Sequence, residues 1–462
     1  MAAQTESEML SRVPVIVVLG ATGSGKSKLA IEIAKKFGGE ILSADSMQVY
    51  KGMDIITNKV TKEEQAEVPH HMLDLVDPPA RFTVVDFRNA ALKIMDRLMK
   101  QGKVPILVGG TNYYIESILW KVLVSGEKDF IERSGSLEDG QPDTKRVRIE
   151  SDLEAMDNRD LYRRLQEVDP DMAKRLHPNN RRRIIRSLQV FEQLGRTHSA
   201  VLQEQREVAG GSELGGPLRF PHSCILWLQC KQSVLDERLD SRVDDMIERG
   251  LVEELLRFHE KYNQQRIAIN VEADYTKGIF QSIGFKEFHK YLMLDPSERN
   301  SEYAQKLFKE ALDQLKLVTR RYSRKQLRWV TNRFLRQRDR QVPPVYGLDT
   351  SDLTKWEENV YKPAKHVVDC FMKGSTPTEV EPMTLVEALS NKPESFHCDI
   401  CDRLFVGTLQ WEAHRISKKH QRFARRKQME RTLSSFNTNK TNGAETAINS
   451  EVEPTVDTQK EV

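Results

Sequence analysis

Continuous apolar runs in the first half of the chain predict its strands. Val13–Leu19, Val104–Val108 and Cys224–Leu228 are such runs, and the apolar pair Ile41–Leu42 predicts a shorter strand. Runs of this kind, separated by amphipathic stretches, are typical of parallel strands that are buried on both faces of a sheet. We therefore predict an α/β fold in which helices cover a parallel sheet.

Helical patterns occur in three stretches of the chain, and two of them carry apolar residues at clear helical spacing. Thr83–Gln101 has one apolar face and stops before Gly102, which favours a helix that ends there. Between residues 125 and 221 the strand pattern disappears and charged helical stretches replace it, which predicts a helical insertion. Ser301–Leu335 has the strongest helical pattern of the chain, and its predicted buried stripe is Leu307, Ala311, Leu315, Val318 and Tyr322.

The length of the chain, 462 residues, predicts more than one domain. Residues 341–395 contain many prolines and little periodicity, so we predict a linker there. Residues 428–462 are rich in Asn, Thr, Ser and Glu, which is typical of disorder. The predicted order is an N-terminal tail (1–12), a first core part (13–124), the insertion (125–221), a second core part (222–340), the linker (341–395), a small C-terminal domain (396–427) and the tail (428–462).

Bulk composition excludes some classes of protein but names no partner. The 71 Lys and Arg residues nearly balance 68 Asp and Glu, so any nucleic-acid signal must come from local clusters. Five cysteines in so long a chain favour a reducing compartment, and no apolar run approaches the roughly 18–20 residues of a membrane span. The acidic Glu6 and Glu8 are untypical of a transit peptide. We expect a cytoplasmic protein, with the nucleus and the mitochondrion as further candidate compartments.

The turn after the first predicted strand has the sequence of a phosphate-binding P-loop. Glycines allow backbone N–H groups to close around phosphate oxygens, and the N-terminus of the following helix adds positive partial charge. Lys26 supplies a cation, and the Ser27 hydroxyl can bind Mg²⁺. The alternative is a glycine-rich turn that binds nothing. The predicted loop consists of Gly20, Ala21, Thr22, Gly23, Ser24, Gly25, Lys26 and Ser27.

Two further strand ends carry candidate site residues. Asp45 follows Ile41–Leu42, and ligands of open α/β sheets bind at the carboxyl ends of strands, so Asp45 is expected near the P-loop. A helix N-cap is the alternative role for this residue. Val104–Val108 ends in Gly109, Gly110 and Thr111, where a P-loop ATPase usually has a Mg²⁺-binding Asp. This ending argues against an ordinary ATPase.

Basic residues are concentrated in two predicted helices. Arg181, Arg182, Arg183 and Arg186 fall within six residues after a proline-containing turn. A solvated helix face is the alternative to nucleic-acid contact for such a run. The end of Ser301–Leu335 carries more cations than the helix dipole requires, and aromatic residues lie between them. A phosphate-backbone contact surface is the better interpretation of this second cluster, which includes Arg320, Arg321, Arg324 and Lys325.

A Cys₂His₂ pattern lies in the small C-terminal domain. The ligands would be Cys398, Cys401, His414 and His420, with Phe405 and Trp411 as a small apolar core between the two pairs. Both spacings match a tetrahedral zinc site. Because a lone finger cannot read an extended sequence, we expect it to bind nucleic acid by shape or to contact a protein.

Five motifs together resemble those of a known family. They are Gly20–Ser27, Ser43–Asp54, Gly109–Tyr114, Val168–Pro170 with Leu176–Pro178, and Ser282–Phe285. In this order they resemble the tRNA dimethylallyltransferases, also called tRNA isopentenyltransferases, over about residues 13–340. The zinc finger resembles the matrin or U1 type found in the eukaryotic branch.

This resemblance implies a reaction and a set of residue roles. Family members transfer a dimethylallyl group from dimethylallyl diphosphate to N6 of adenosine 37, beside the tRNA anticodon. It implies that Asp45 accepts the proton of the amine, that Thr111 acts near the reacting centre, and that Lys26, Arg242 and Mg²⁺ on Ser27 stabilise the leaving diphosphate. It implies tRNA contacts at Asp45, Ser46, Met47, Gln48, Arg181, Arg182, Arg183, Arg186, Gln281, Ser282, Ile283, Gly284, Arg320, Arg321, Arg324, Lys325 and Gln326.

Two other classes of protein remain as alternatives at this point. A P-loop nucleotide kinase would bind ATP and carry a lid with paired arginines, and no clear lid is evident in the sequence. A nucleic-acid-binding protein without catalysis would rely on the finger and the basic helix, but the intact Lys26–Ser27 pair argues against it. We expect a monomer whose partners are the tRNA anticodon stem-loop and dimethylallyl diphosphate.

Overall fold

The computed structural model divides into two compact units. The first comprises residues 1–125 and 202–388, and the second comprises 126–201 and 389–462. No helix in the part described is both long and apolar enough to span a bilayer. The structure describes residues 13–78, 80–122, 152–212, 214–263, 275, 278–336, 339–384, 392 and 394–430. The predicted N-terminal tail, 1–12, lies outside these residues.

A parallel sheet forms the centre of the first unit, which confirms the predicted α/β class. Among the described residues it has six strands in the order β3-β2-β4-β1-β5-β6, and all neighbours are parallel. Ile16 in the central strand pairs with Ile106 on one side and Cys224 on the other. The bounds are β1 Val15–Gly20, β2 Glu40–Ser43, β3 His70–His71, β4 Pro105–Val108, β5 Ser223–Gln229 and β6 Val345–Asp349.

Helices cover both faces of this sheet. Alternate side chains of β1 point to opposite faces, so Val17 lies in one apolar core and Ile16 in the other. The helices of this unit are α1 Lys26–Phe37, α2 Lys62–Glu67, α3 Val84–Lys100, α4 Asn112–Leu119, α9 Gln232–Glu248, α10 Leu251–Phe258, α11 Phe285–Leu292, α12 Glu302–Val330 and α13 Lys362–Met372. Short 3₁₀ or π segments are His259–Asn263, Gly278–Gln281, Pro296–Glu298, Thr331–Leu335, Leu353–Lys355 and Glu357–Tyr361.

The linker predicted over residues 341–395 is wrong for most of its length. Val345–Asp349 is the sixth strand of the sheet and pairs with β5. Helix α13 covers the core beside β1, and Trp356 and Val360 are buried in the same core. The prolines indicated irregular structure, but one of them, Pro363, lies in the first turn of α13. A helix tolerates proline there because the missing N–H is not needed.

A third apolar core lies beside the sheet in the first unit. It joins residues just after β2, such as Val49 and Met53, to α9, α10, α11 and α12. Phe285 and Phe288 are fully buried in it. This core anchors the segment that follows Asp45 to the long helix α12, so it fixes the surroundings of the candidate site.

The second unit contains the predicted helical insertion and the C-terminal domain. Leu161, Leu165, Ile184 and Leu188 form the buried faces of its helices. Residues 123–151 lie outside the described part, and residues 202–221 of the predicted insertion belong to the first unit. The helices are α5 Asn158–Val168, α6 Pro170–Arg175, α7 Arg181–Leu194 and α8 His198–Glu207, the last of which continues into the first unit.

The C-terminal domain is a hairpin followed by two helices. Strand β7, Ser395–Cys398, pairs antiparallel with β8, Arg403–Val406, and helix α14 is Thr408–Arg415. A further helix, α15, covers residues 418–430. Of the tail predicted to be disordered, 428–430 therefore continue a helix, and 431–462 lie outside the described residues.

Candidate active site

The glycine-rich turn between β1 and α1 folds as a P-loop. Gly23 and Gly25 have φ of 78° and 90°, a backbone region that favours glycine. A Cβ atom on Gly25 would lie 2.8 Å from the Trp356 ring, so the loop also packs tightly against the segment after β6. The loop is therefore held in shape by local backbone geometry and by a tryptophan more than 300 residues away.

Lys26 lies inside this loop rather than in solvent. Its Nζ donates a hydrogen bond to the carbonyl oxygen of Ala21 at 2.8 Å. The pKa of Lys26 is lowered to about 8, mainly by burial and also by the positive charge of Arg242, while the Asp45 carboxylate opposes this shift. These influences show that a lysine, an arginine and a carboxylate share one electrostatic environment.

Arg242 reaches the P-loop from helix α9. Its Nη1 donates to the Thr22 Oγ1 at 3.3 Å. Burial lowers the pKa of Arg242 to about 10, with a smaller contribution from Arg249, while Asp45 raises it. An arginine remains charged at neutral pH under these conditions, so the P-loop is lined by two cations that an anionic ligand would neutralise.

Asp45 lies at the carboxyl end of β2, as predicted. Its Oδ1 accepts a hydrogen bond from the backbone N–H of Met47 at 2.9 Å and so closes an Asx turn; residues 46–49 form a turn rather than a helix, so the helix N-cap considered from the sequence is not the role of this residue. Burial raises the pKa of Asp45, and this rise is opposed by the Met47 N–H and by the charges of Lys26 and Arg242. One carboxylate oxygen thus stabilises the turn, while the group as a whole faces the cations of the P-loop.

Thr111 connects the end of β4 to the turn after Asp45. Its Oγ1 accepts from the Ser46 N–H at 3.0 Å and donates to Ser46 Oγ at 3.3 Å. A Cβ on Gly109 would lie 2.1 Å from the carbonyl oxygen of Ala44, so only glycine allows β2 and β4 to end this close together. This close approach explains the glycine pair that the sequence shows in place of an acidic residue.

A cavity of about 440 Å³ joins these groups. Its polar wall includes Thr22, Lys26, Asp45 and Arg242. Two residues of α12, Tyr322 and Gln326, line it as well. From the sequence, Tyr322 was predicted only as part of the buried stripe of this helix. Burial raises the pKa of Tyr322, and the Asp45 charge raises it further. Apolar side chains complete the lining, namely Ala30, Ile41, Val60, Leu73 and Val108.

Several of the predicted tRNA contacts make hydrogen bonds within the protein. The Gln48 amide donates to the carbonyl oxygens of Thr57 and Asn58 at 3.1 Å and accepts from Ser43 Oγ at 2.7 Å. Gln326 is buried, and both ends of its amide are bonded to backbone groups. These two residues therefore stabilise loops of the site, and both also line the cavity; that they contact tRNA stays a prediction.

The turn around Gln281 lies beside the third core. Ser282 is buried, whereas Gln281 is exposed and Ile283 is partly exposed. Gly284 has φ of 126°, and a Cβ there would lie 2.4 Å from the Ile56 side chain. Gly284 is therefore required by packing, and Gln281 is the residue of this turn whose side chain reaches the surface.

The basic helix α12 has two different kinds of cation. Arg320 and Arg324 form ion pairs with Asp240 and Asp236 of α9. Two cations of the predicted phosphate-contact cluster therefore have internal partners, because acids spaced by four residues on α9 face cations spaced by four on α12. Lys316 continues this ladder, 2.6 Å from Asp244. Arg321 and Lys325 are exposed and belong to no ion pair in the described part of the chain.

The arginine cluster of the second unit begins helix α7. Arg181 donates to the carbonyl oxygens of Glu154 and Leu153 at 2.6 and 3.3 Å, so it holds the chain before α5 in place. Arg182 and Arg183 are exposed, and Arg186 is partly buried. The structure therefore separates Arg181, which has internal partners, from the exposed pair Arg182 and Arg183.

The four predicted metal ligands of the C-terminal domain come together. One ligand atom from each of Cys398, Cys401, His414 and His420 lies within 4.8 Å of the others. His414 Nε2 is buried and has no hydrogen-bond partner, as expected of a nitrogen that binds a metal. Phe396 stacks on Trp411 at 5.5 Å and Phe405 packs at 5.9 Å, which confirms the small apolar core. The Cys₂His₂ arrangement is a metal-compatible site.

Comparisons with known proteins agree on one family. The family models described as IPP transferase and isopentenyl transferase match residues 48–333 and 13–78. The tRNA dimethylallyltransferases of mouse and human are each 50% identical over 409 residues, which is 88% of this chain and 85% of theirs. That of Saccharomyces cerevisiae is 30% identical and covers 92% of this chain.

A solved structure gives the same result for the fold. It is described as crystallographic snapshots of a eukaryotic dimethylallyltransferase acting on tRNA. It is 29% identical to this chain, has a TM-score of 0.74, and the match covers 92% of this chain and 100% of that one. Together with the P-loop, the carboxylate beside it and the Cys₂His₂ site, these matches establish that the chain belongs to the tRNA dimethylallyltransferase family.

Proposed function

We propose that this chain transfers a dimethylallyl group from dimethylallyl diphosphate to N6 of adenosine 37 in tRNA. The observation that carries the proposal is one cleft in which two cations, Lys26 of the P-loop and Arg242 of α9, face the carboxylate of Asp45. The two cations can bind a negatively charged diphosphate, and the carboxylate can accept a proton from an exocyclic amine. The apolar residues of the cleft provide a surface for the hydrocarbon chain.

The acceptor side of the cleft supports transfer to an amine. An adenine N6 amine is a weak nucleophile because its lone pair is delocalised into the ring. As N6 forms a bond to C1 of the dimethylallyl group, its proton would pass to Asp45, whose raised pKa makes it a better acceptor than an exposed aspartate. Thr111 holds the Ser46 backbone beside this carboxylate and so orients the turn.

The donor side of the cleft supports departure of diphosphate. The bond between C1 and the diphosphate oxygen breaks, and the oxygen keeps the electron pair. Lys26 and Arg242 would stabilise this developing negative charge. Arg242 also donates a hydrogen bond to the Thr22 hydroxyl of the P-loop. Mg²⁺, when bound through the Ser27 hydroxyl and the phosphate oxygens, would neutralise part of the same charge. The Ser27 side chain lines the cleft, so its position fits this role.

The C-terminal metal site supports a structural role. Two thiolates and two imidazoles are the ligand set that zinc prefers, and all four positions are taken by the protein. We propose that zinc stabilises this domain and that its basic surface adds affinity for tRNA. The cytoplasmic location and the monomeric state stay predictions from the sequence.

Transfer of label tests the proposal directly. Purified protein is mixed with Mg²⁺, radiolabelled dimethylallyl diphosphate and bulk tRNA, and label is counted in nuclease-digested RNA. We expect label in N6-modified adenosine, and omission of Mg²⁺ should reduce it. Absence of label in RNA, with ATP-dependent phosphorylation of a nucleotide instead, would overturn the proposal in favour of a kinase.

A further inference from the structure

Gln326 occupies a position in the site that its sequence context did not reveal. It lies on helix α12 and is buried. Its Oε1 accepts a hydrogen bond from the backbone N–H of Thr22 at 2.9 Å, and its Nε2 donates to the carbonyl oxygen of Gly110 at 3.0 Å. One side-chain amide therefore joins the P-loop to the loop after β4.

The packing around this amide leaves no room for a larger neighbour. A Cβ atom on Gly110 would lie 2.1 Å from Gln326 Nε2, well below any real contact distance. The backbone carbonyl of Gln326 also accepts from Asn112 Nδ2 at 3.2 Å. Three hydrogen bonds and a close contact thus fix Gln326 to both loops. The two side-chain hydrogen bonds and the close contact depend on the glutamine side chain, whereas the backbone carbonyl would be present in any residue.

The two loops joined by Gln326 carry the two halves of the proposed reaction. Thr22 belongs to the diphosphate loop and is bonded to Arg242. Gly110 precedes Thr111, which holds the turn that follows Asp45. The distance between the leaving diphosphate and the acceptor amine therefore depends on the separation of these loops. They follow the paired strands β1 and β4, and beyond the strand ends Gln326 links them directly.

We propose that Gln326 is a positioning residue that fixes the spacing between the diphosphate loop and the acceptor loop. This inference rests on the proposed function. Transfer requires the reacting atoms to lie about 3–3.5 Å apart, and a displacement of about 1 Å can lower a rate about 10²-fold. Gln326 would act through Thr22 and Thr111 without touching the reacting atoms.

Substitutions at Gln326 separate this role from a contact with tRNA. Gln326→Met keeps the length of the side chain but removes both hydrogen bonds, whereas Gln326→Glu keeps an acceptor for Thr22 and places an acceptor opposite the Gly110 carbonyl. Gln314→Met, at an exposed position of the same helix, is the matched control. We expect both Gln326 variants to transfer about 10²-fold more slowly in single turnovers at saturating substrates, with unchanged tRNA affinity, at a temperature at which each variant is folded.

The opposite side of the contact gives a second test. Gly110→Ala should force the same amide away and slow transfer to a similar extent. Because Gln326→Ala removes the atom that the new methyl group would strike, the double variant should be no slower than Gln326→Ala alone. This non-additivity requires direct contact, so it holds even if Gln326→Met proves unstable.

The outcomes separate failure of this inference from failure of the proposed function. Wild-type protein that does not label tRNA overturns the proposed function. Wild-type protein that labels tRNA, with Gln326 variants that transfer normally or lose only tRNA affinity, overturns the positioning role. Additive effects of Gly110→Ala and Gln326→Ala would also overturn it.

Discussion

The two walls of the cleft are built in different ways. The diphosphate wall consists mainly of eight consecutive residues, Gly20–Ser27. The strand before this turn and the helix after it are both predictable from the same short segment of sequence. The acceptor wall combines the turn after β2, the loop after β4 and the inner face of α12, which are separated by 65 to more than 200 residues. The contiguous P-loop motif therefore indicates a phosphate ligand. The acceptor wall, which is assembled from distant segments, determines which group reacts with that ligand.

Even the contiguous wall depends on a distant segment, and truncation should show this most strongly. A chain that ends at Tyr346 loses most of β6, Trp356 and α13, so it exposes the core beside β1. We expect aggregated protein without diphosphate binding, because loss of one buried tryptophan alone costs about 3–5 kcal/mol. A chain that ends at residue 384 keeps these elements and lacks residues 385–462, which include the metal-binding domain. We expect it to fold and to transfer at saturating tRNA.

Soluble yield, Tm and single-turnover transfer measure both truncations. Equal behaviour of the two chains would show that residues 347–384 do not support the catalytic unit. A fall of more than about 10²-fold in the rate of the chain ending at 384 would place a catalytic group in the C-terminal domain.

Asp45→Asn should separate the two walls in function. Asparagine keeps an oxygen that can accept from the Met47 N–H, so the turn should persist. It removes the negative charge and the basicity, so transfer should fall by about 10²–10⁴-fold. Single-turnover transfer and dimethylallyl diphosphate affinity are measured together. Normal transfer would leave Asp45 with the turn-stabilising role alone, and loss of diphosphate affinity would indicate a metal-binding role instead.

The pH dependence of transfer should report the environment of the acceptor wall. Asp45 acts as a carboxylate, so the rate falls as pH falls through its pKa, by up to tenfold per pH unit. Because burial raises this pKa, the fall should begin at a higher pH than for an exposed aspartate. Single-turnover rates at saturating substrates give the profile. The residual rate of Asp45→Asn should lack this acid limb, and an identical limb in that variant would assign it to another group.

The smallest expected effect distinguishes the two kinds of cation on α12. Exposed Arg321 and Lys325 are available for phosphates, so changing both to Ala should reduce the salt slope of tRNA binding by about 0.7–0.9 log unit per lost contact. Arg320 and Arg324 already pair with acids of α9, so changing both to Ala should lower Tm more and the slope less. Affinity measured across a salt series and thermal unfolding test the pair of variants. Equal slopes in both variants would contradict the division.

The sequence by itself determined the parts of this protein that are local. The four apolar runs became β1, β2, β4 and β5, because strands buried on both faces need continuous apolar side chains. The P-loop and the Cys₂His₂ site were predicted residue by residue, since their ligands lie at short, regular spacing. Asp45 was placed beside the P-loop by the rule that ligands bind at the carboxyl ends of parallel strands.

Only the tertiary structure decided features that depend on contacts between distant segments. Strand β6 and the helix after it lie in a proline-rich stretch without a clear period, and they are ordered by pairing with β5 and by burial against the sheet. Arg324 and Arg321 look alike in the sequence, but the acids of α9 face only the first. In the sequence Gln326 was only one of the tRNA contacts that the resemblance implied, among many basic residues. Its position between Thr22 and Gly110 arises only because α12 crosses the carboxyl end of the sheet, where both loops lie.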